Sequence, residues 1–330
     1  MISRFRADID APMQRQNVTL VEVGPRDGLQ NEAQLLSTED KIELVAQLAA
    51  AGLERIEVAS FVHPKRVPQM ADAEAVVAGV KARLKGAEHR PTLLGLVLNR
   101  RGLDRALAAG VDEVGYVVVA SDTFGQKNQG VTAAEALEVW RELAAAARAA
   151  RVPASLTVAA AWGCPFEGVV PPAGVLEIAK AGLEAGPSEI GLADTIGVGG
   201  PREVSQLVQG VVEAAGDIPV RGHFHDTRNT GVANAWAAFE AGATRIDASV
   251  GGLGGCPFAK PTRPPRDGAP TAATGNVPTE DVLYAFSRSE IETGVSLEAL
   301  LETSGWLSER LGRPLPSKLS GAGPAPHPRP

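Results

Sequence analysis

The sequence is poor in sulfur and aromatic residues, and its charge balance leans acidic. Only two cysteines, Cys164 and Cys256, occur in 330 residues, and they form no CxxC pair. That excludes a disulfide framework or a thiolate zinc site and suits a reducing compartment. Aromatic residues are 4% of the chain, so Val, Leu, Ile and Ala must fill the interior. A net charge of -7 argues against nucleic acid as the main partner, because phosphate binding needs a positive field. No apolar run approaches the ~18 residues that span a membrane. The opening MISRFRADIDAPMQRQ lacks the apolar core of a signal peptide. A cytoplasmic protein with no membrane partner is expected.

What the chain does contain is a repeated junction. AAAGLERIEVAS (49–60), ALAAGVDEVGYVVVA (106–120), GLEAGPSEIGLAD (182–194) and AFEAGATRIDASV (238–250) share one grammar: an Ala-rich helical stretch, a glycine, two or three polar residues, then a β-branched run. Gly52, Gly110, Gly186 and Gly242 fit the left-handed position that ends a helix. Further strands are read at NVTLVEV (17–23), TLLGLVL (92–98), ASLTVAAAW (154–162) and IPVRGHF (218–224), giving eight. Helices fit 38–51, 69–85, 132–150, 172–184, 201–215 and 228–241, the first opening on STED as a capping box. Eight βα units predict a (β/α)8 TIM barrel with a helical C-terminal extension; an open doubly wound sheet is the alternative. The expected organisation is an N-terminal extension (1–16), the catalytic barrel (17–285), helices packed on it (286–315) and a disordered tail (316–330).

In such barrels the site lies at the C-terminal ends of the strands. His223 and His225, in HFHDT at the end of strand seven, share a face because side chains alternate along a strand. They are candidate ligands for one metal, although a hydrogen-bonded surface pair would look the same. Past strand one, VEVGPRDGLQNE (21–32) places Arg26 and Asp27 two strands away, and Asp27 can add a carboxylate oxygen. Read alone, PRDG is an ordinary turn. The loop after strand eight, SVGGLGGCPFA (249–259), puts Cys256 on a glycine-rich tip over the barrel mouth, where a thiol is more exposed to chemistry than in a core. Cys164, in WGCPFEG, is assigned packing or support. Asp194 in ADTIG is read equally as a substrate-facing carboxylate or a helix cap. Lys127 and Asn128 sit in SDTFGQKNQG, read as a loop after strand four.

The combination VEVGPRDGLQNE, SFVHPKRVPQM, GCPFEG, ADTIGVG, HFHDT and GGLGGCPFA with ATGNVPTED resembles the hydroxymethylglutaryl-CoA lyase family, metal-dependent barrel lyases related to the Claisen-type synthases. The likeness runs from about residue 17 to about 310. It implies Asp27, His223, His225 and Asn276 as metal ligands and Arg26, Asp27 and Glu57 as the family's Arg-Asp-Glu motif. Cys256 corresponds to the catalytic cysteine, and the stretch with Lys127 and Asn128 to one that the family keeps near its substrate; Gln30 and Asp194 are further candidate substrate contacts. The implied reaction is retro-Claisen cleavage of 3-hydroxy-3-methylglutaryl-CoA to acetyl-CoA and acetoacetate, placed by the resemblance in leucine degradation. The implied cofactor is Mg²⁺ or Mn²⁺, with Zn²⁺ the alternative. The implied partner is an acyl-CoA, and the resemblance also allows a homodimer. On it, Arg26 stabilises charge on the thioester oxygen, Cys256 protonates the enolate carbon, and Glu57 holds Arg26 or a metal-bound water.

Three departures bear on the acyl group. Arg228 and Asn229 stand where family members commonly carry Tyr-Gly, Ala33 stands where some carry lysine, and KPTRPPRDGAPT (260–271) lengthens the gap between Cys256 and Asn276. The rival readings are a lyase for a different branched 3-hydroxyacyl-CoA, a condensing synthase of the isopropylmalate or homocitrate type, and a catalytically silent barrel. The synthases share Arg-Asp, Glu and HxH but lack the cysteine that GGLGGCPF supplies.

Overall fold

The computed structural model describes residues 17–87, 89–255 and 275–324. Eight parallel strands close on themselves: β1 (Thr19–Glu22), β2 (Arg55–Ser60), β3 (Thr92–Leu96), β4 (Glu113–Val119), β5 (Ala154–Ala159), β6 (Ile190–Asp194), β7 (Val220–Phe224) and β8 (Arg245–Ala248), which pairs with β1. Between them run α1 (Thr38–Ala50), α2 (Ala73–Arg83), α3 (Arg100–Ala109), α4 (Asp122–Asn128), α5 (Ala133–Ala149), α6 (Pro172–Leu183), α7 (Pro201–Ala215) and α8 (Gly231–Glu240). The expected (β/α)8 barrel is the fold. Gly52, Gly110, Gly186 and Gly242 all have positive φ, at 97°, 78°, 66° and 101°, as the repeated junction requires. The outward faces of the strands meet the helices, as where Tyr116 of β4 stacks on Trp140 of α5 with ring centroids 6.2 Å apart. Among the described residues no helix is long and apolar enough to cross a membrane.

Three segments differ from the reading of the sequence. α3 extends the Ala-rich stretch that ends at Gly110 back to Arg100, beyond what the sequence pattern marks, capped by Asn99, whose side chain accepts from Gly102 N at 2.9 Å. The stretch read as a loop after β4 is helix α4, because Ser121 caps Phe124 N at 3.3 Å and Phe124 is buried beneath it. After α9 (Thr279–Ser287) and α10 (Leu297–Leu311), part of the expected disordered tail folds as α11 (Lys318–Ala322). The Asp281 carboxylate accepts from Ser317 Oγ, Lys318 N and Leu319 N at 2.9–3.0 Å, pinning that turn to α9.

Inside such a barrel, tilted strands stack inward side chains in layers of four, drawn in turn from even- and odd-numbered strands. The pairing register gives a charged layer of Arg55, Glu113, Glu189 and Arg245. Arg55 meets Glu113 at 2.8 Å and Arg245 meets Glu189 at 2.5 Å. Above it lie Val21, Leu94, Ser155 and Arg221, then Glu57, Gly115, Gly191 and Asp247, then Val23, Leu96, Thr157 and His223. Arg221 Nε donates to Glu189 at 2.5 Å, and its guanidinium takes the space that Gly191 leaves, 3.1 Å from where a Cβ would stand. Branched apolar side chains usually fill these layers. Here paired charges fill the bottom, where losing one partner would typically cost ~3–5 kcal/mol. A cavity stays open above them.

Candidate active site

Past β1 the chain makes one wide helical turn, Gly24–Gly28, closed by Gly28 N donating to Val23 O at 3.1 Å. Such i→i+5 turns recur at functional sites, and this one carries Arg26 and Asp27 to the barrel mouth. His223 faces inward on β7 and His225 follows one turn of the pleat beyond. Their Nε2 atoms stand 3.2 Å apart. The ligand atoms of Asp27, His223 and His225 all lie within 4.8 Å of one another. Asn276 joins them through a short antiparallel bridge to His225, in which Asp226 N donates to Gly275 O at 2.8 Å and Val277 N to Phe224 O at 3.0 Å. Its Nδ2 donates to Asp27 Oδ2 at 2.8 Å and to Leu253 O at 2.9 Å. Its Oδ1 is buried with no hydrogen-bond partner among the described residues.

These donors fit a divalent cation. Two imidazole nitrogens and a carboxylate oxygen converge here, and the Asn276 side chain beside them is held by its amide nitrogen on Asp27. His223 Nδ1 faces Asp247 Oδ2 at 2.9 Å. A carboxylate only accepts, so this partner keeps the proton on Nδ1 and turns the Nε2 lone pair toward His225. Burial, with His223 close by, pushes His225 down to about 3, leaving it a neutral ligand at ordinary pH. Asp27 is held at about 2: burial alone would raise it, but Arg26 and the two histidines outweigh that.

Arg26 is gripped on both sides. Its Nε donates to Glu57 Oε2 at 2.7 Å and its Nη1 to Asp27 Oδ1 at 2.6 Å. Burial opposes its charge, yet Glu57 and Asp27 raise its pKa above the ordinary value. Burial raises Glu57, against the pull of Arg26. The outcome is a fixed, charged guanidinium beside the candidate metal ligands.

A cavity of about 490 Å³ opens from the mouth into the barrel and is lined by Arg26, Asp27, Glu57, His223 and His225. Gln30, Lys127 and Asn128 line it too, so these expected contacts reach the same space. Asp194 does not line it. It is fully buried, and its carboxylate accepts from Val198 N at 3.0 Å and Gly199 N at 2.9 Å, so it closes the turn after β6. Its neighbours Ala193 and Thr195 form the wall there instead. Arg228 donates to Ile196 O at 2.8 Å and Gly197 O at 3.0 Å, bracing that same turn. Cys164 is buried and receives the Ser121 hydroxyl at 3.0 Å, in keeping with a supporting role. Cys256 and the 260–271 segment lie outside the described residues.

The comparisons with known proteins bear on the whole assembly. The HMGL-like family model matches residues 17–306. The chain belongs to the HMGL-like family. It is accordingly a carbon–carbon lyase. This HMGL-like chain is 41% identical to the (R)-citramalyl-CoA lyase of Chloroflexus aurantiacus, over 93% of its length and 95% of that protein. It is also 41% identical to the 3-hydroxy-3-isohexenylglutaryl-CoA/hydroxymethylglutaryl-CoA lyase of Pseudomonas aeruginosa, over 90% and 94%. Among solved structures, an HMG-CoA lyase from Acinetobacter baumannii in complex with coenzyme A and 3-methylmalate superposes with a TM-score of 0.86, at 36% identity, covering 97% of this chain and 99% of that one.

Asp247 and Arg221 escaped the sequence reading of this HMGL-like barrel. A signal was available: RIDASV places Arg245, Asp247 and Ser249 on alternate positions of β8, a polar inner face where apolar side chains are the rule.

Proposed function

We propose that the chain cleaves 3-hydroxy-3-methylglutaryl-CoA to acetyl-CoA and acetoacetate by a divalent-metal-dependent retro-Claisen reaction. The observation that carries this reading is the meeting of Asp27, His223 and His225 with the Arg26–Glu57 pair at the head of one cavity. A Mg²⁺ or Mn²⁺ ion (Zn²⁺ being the alternative) held by Asp27, His223, His225 and Asn276 would acidify and orient the C3 hydroxyl.

The chain's own groups do the rest. Asp27 or His223 would relay the hydroxyl proton. As the C2–C3 bond breaks, its electron pair passes to C2 and the thioester oxygen, leaving an enolate. Arg26, locked by Glu57, meets that charge, a contribution of ~3 kcal/mol in sites of this kind. Cys256 is proposed to give its proton to C2; a thiol near the free value of ~8.5 keeps that proton at neutral pH. Arg66 and Lys127 at the cavity rim put positive charge where an acyl-CoA would enter an otherwise acidic protein. A second reading, a lyase for another 3-hydroxyacyl-CoA, is supported by the likeness to the citramalyl-CoA enzyme.

The test is a cleavage assay on 3-hydroxy-3-methylglutaryl-CoA with Mg²⁺ or Mn²⁺, with chelator, and with Cys256→Ala. Metal-dependent release of both products, lost in the variant, is expected. Tight metal binding without turnover would reject this substrate and keep the site.

A further inference from the structure

The layer just below His223 has one open place. It consists of Glu57, Gly115, Gly191 and Asp247. Arg221 fills the place of the Gly191 side chain, but nothing fills that of Gly115. A Cβ at Gly115 would have only Ser155 Oγ, at 3.6 Å, and Leu96 Cδ1, at 4.0 Å, as neighbours. Gly115, Ser155, Leu94 and Leu96 all line the cavity, so the gap is continuous with the space under the metal ligands. β4 and β8 stand opposite each other in an eight-stranded closed sheet, and the gap at Gly115 therefore faces Asp247. Asp247 is 2% exposed and lines the same cavity. Its contacts with His223 and Arg221 both use Oδ2, whereas Oδ1 is buried with no hydrogen-bond partner among the described residues. A buried acceptor left unmade is costly, so a ligand that brings a donor to Asp247 Oδ1 gains a bond that these protein groups do not supply.

We propose that the acyl pocket continues below the metal ligands into the gap at Gly115, and that it is built for a 3-hydroxyacyl-CoA whose C3 substituent is longer than methyl and ends in a hydroxyl group. Gly115 sets the depth of the pocket and Asp247 Oδ1 receives the terminal hydroxyl. This inference rests on the lyase reading above and names the substrate class within it. The reaction is unchanged: the C2–C3 bond breaks, C2 gains a proton to give acetyl-CoA, and C3 becomes the ketone of a 3-oxo acid that keeps the substituent.

The experiment compares kcat/KM of the metal-loaded full chain for three thioesters that differ only at C3, carrying methyl, ethyl or 2-hydroxyethyl. The hydroxyethyl compound is expected to exceed both others by at least about tenfold, because a site that bonds a hydroxyl rejects the analogue lacking it more strongly than a pocket rejects a missing methylene. Gly115→Val, which fills the gap, is expected to lower the hydroxyethyl-to-methyl ratio at least tenfold. Gly115→Ala is expected to lower it by less, and thermal melting of both variants shows whether they fold. If Gly115→Val does not fold, the Gly115→Ala ratio decides. Cleavage of the methyl compound with rejection of both longer ones overturns this inference and leaves the lyase reading standing. Equal rates for ethyl and hydroxyethyl overturn the role of Asp247 Oδ1. No cleavage of any of the three overturns the lyase reading itself.

Discussion

His223 Nδ1 lies 2.9 Å from Asp247 Oδ2, and the same oxygen receives Arg221 Nη1 from below. The ring that would bind the metal is thus oriented by a carboxylate that is itself anchored to the ionic floor of the barrel. Asp247→Asn can present an amide hydrogen to Nδ1 and reverse the tautomer. Such outer partners typically contribute 10–100-fold to metal affinity. Mn²⁺ affinity of Asp247→Asn, measured by calorimetry, is expected to fall within that range. Unchanged affinity would show that His223 is held by packing alone.

Gly254 has φ 104°, and a Cβ there would stand 2.5 Å from Asn276 Nδ2 and 2.9 Å from Asp27 O. Both neighbours belong to the proposed metal-ligand set, and they are bonded to each other through Asn276 Nδ2 and Asp27 Oδ2. Gly254→Ala is therefore expected to weaken Mn²⁺ binding about tenfold or more while the circular dichroism spectrum stays that of wild type. Wild-type Mn²⁺ affinity in a folded variant would contradict the close packing of this loop on the ligands.

Arg26 meets Glu57 through two of its nitrogens, Nε at 2.7 Å and Nη2 at 2.5 Å, and Asp27 through a third. Lysine carries the charge but cannot reproduce a planar fork. Arg26→Lys is expected to lower kcat about 10²–10³-fold, the usual cost of losing one aimed donor to a developing oxyanion. Steady-state kinetics on 3-hydroxy-3-methylglutaryl-CoA reads this directly. A loss confined to KM would place Arg26 in substrate binding instead.

Glu22 gives a pH dependence of stability. Burial pushes its carboxyl from 4.5 to about 8, even though Thr279 Oγ1, Val250 N and Gly24 N donate to it. A folded-state pKa above the unfolded one means that the group's stabilising contribution is fully present below about 4.5 and is lost as pH rises through about 8. Gln keeps the oxygen that accepts from Gly24 N and Val250 N, each at 2.8 Å. Glu22→Gln is expected to match wild type at pH 5 and to melt at least roughly 2 °C higher at pH 8.5. Melting curves with the same pH dependence in both proteins would mean that Glu22 stays ionised in the fold.

The barrel was legible in the sequence because its junctions repeat. A glycine that must be left-handed, followed by a β-branched run, is a local signal, and eight strands then leave few architectures. PRDG and HFHDT stood out because each keeps its polar residues within a short stretch, but their assignment as ligands came from the family resemblance. Helix α4 was not, since seven residues of SDTFGQKNQG carry no clear period, and burial of Phe124 fixes them as a helix. Asp194 shows the limit of reading a strand end as a site, because only the turn folded back upon it reveals that Val198 N and Gly199 N use both of its oxygens.

By itself, then, the sequence determined the strand count, the glycine junctions that end the helices and most of the residues that meet at the barrel mouth. Tertiary structure decided which way they face and what stands behind them. Asn276 comes to Asp27 across 249 residues of chain, through a bridge that exists only once β7 and β8 are side by side. The ionic floor and the gap at Gly115 depend on strand register, which is a property of the closed sheet. A one-residue slip would turn every one of those side chains to the other face, and no local stretch of sequence records which register the barrel has chosen.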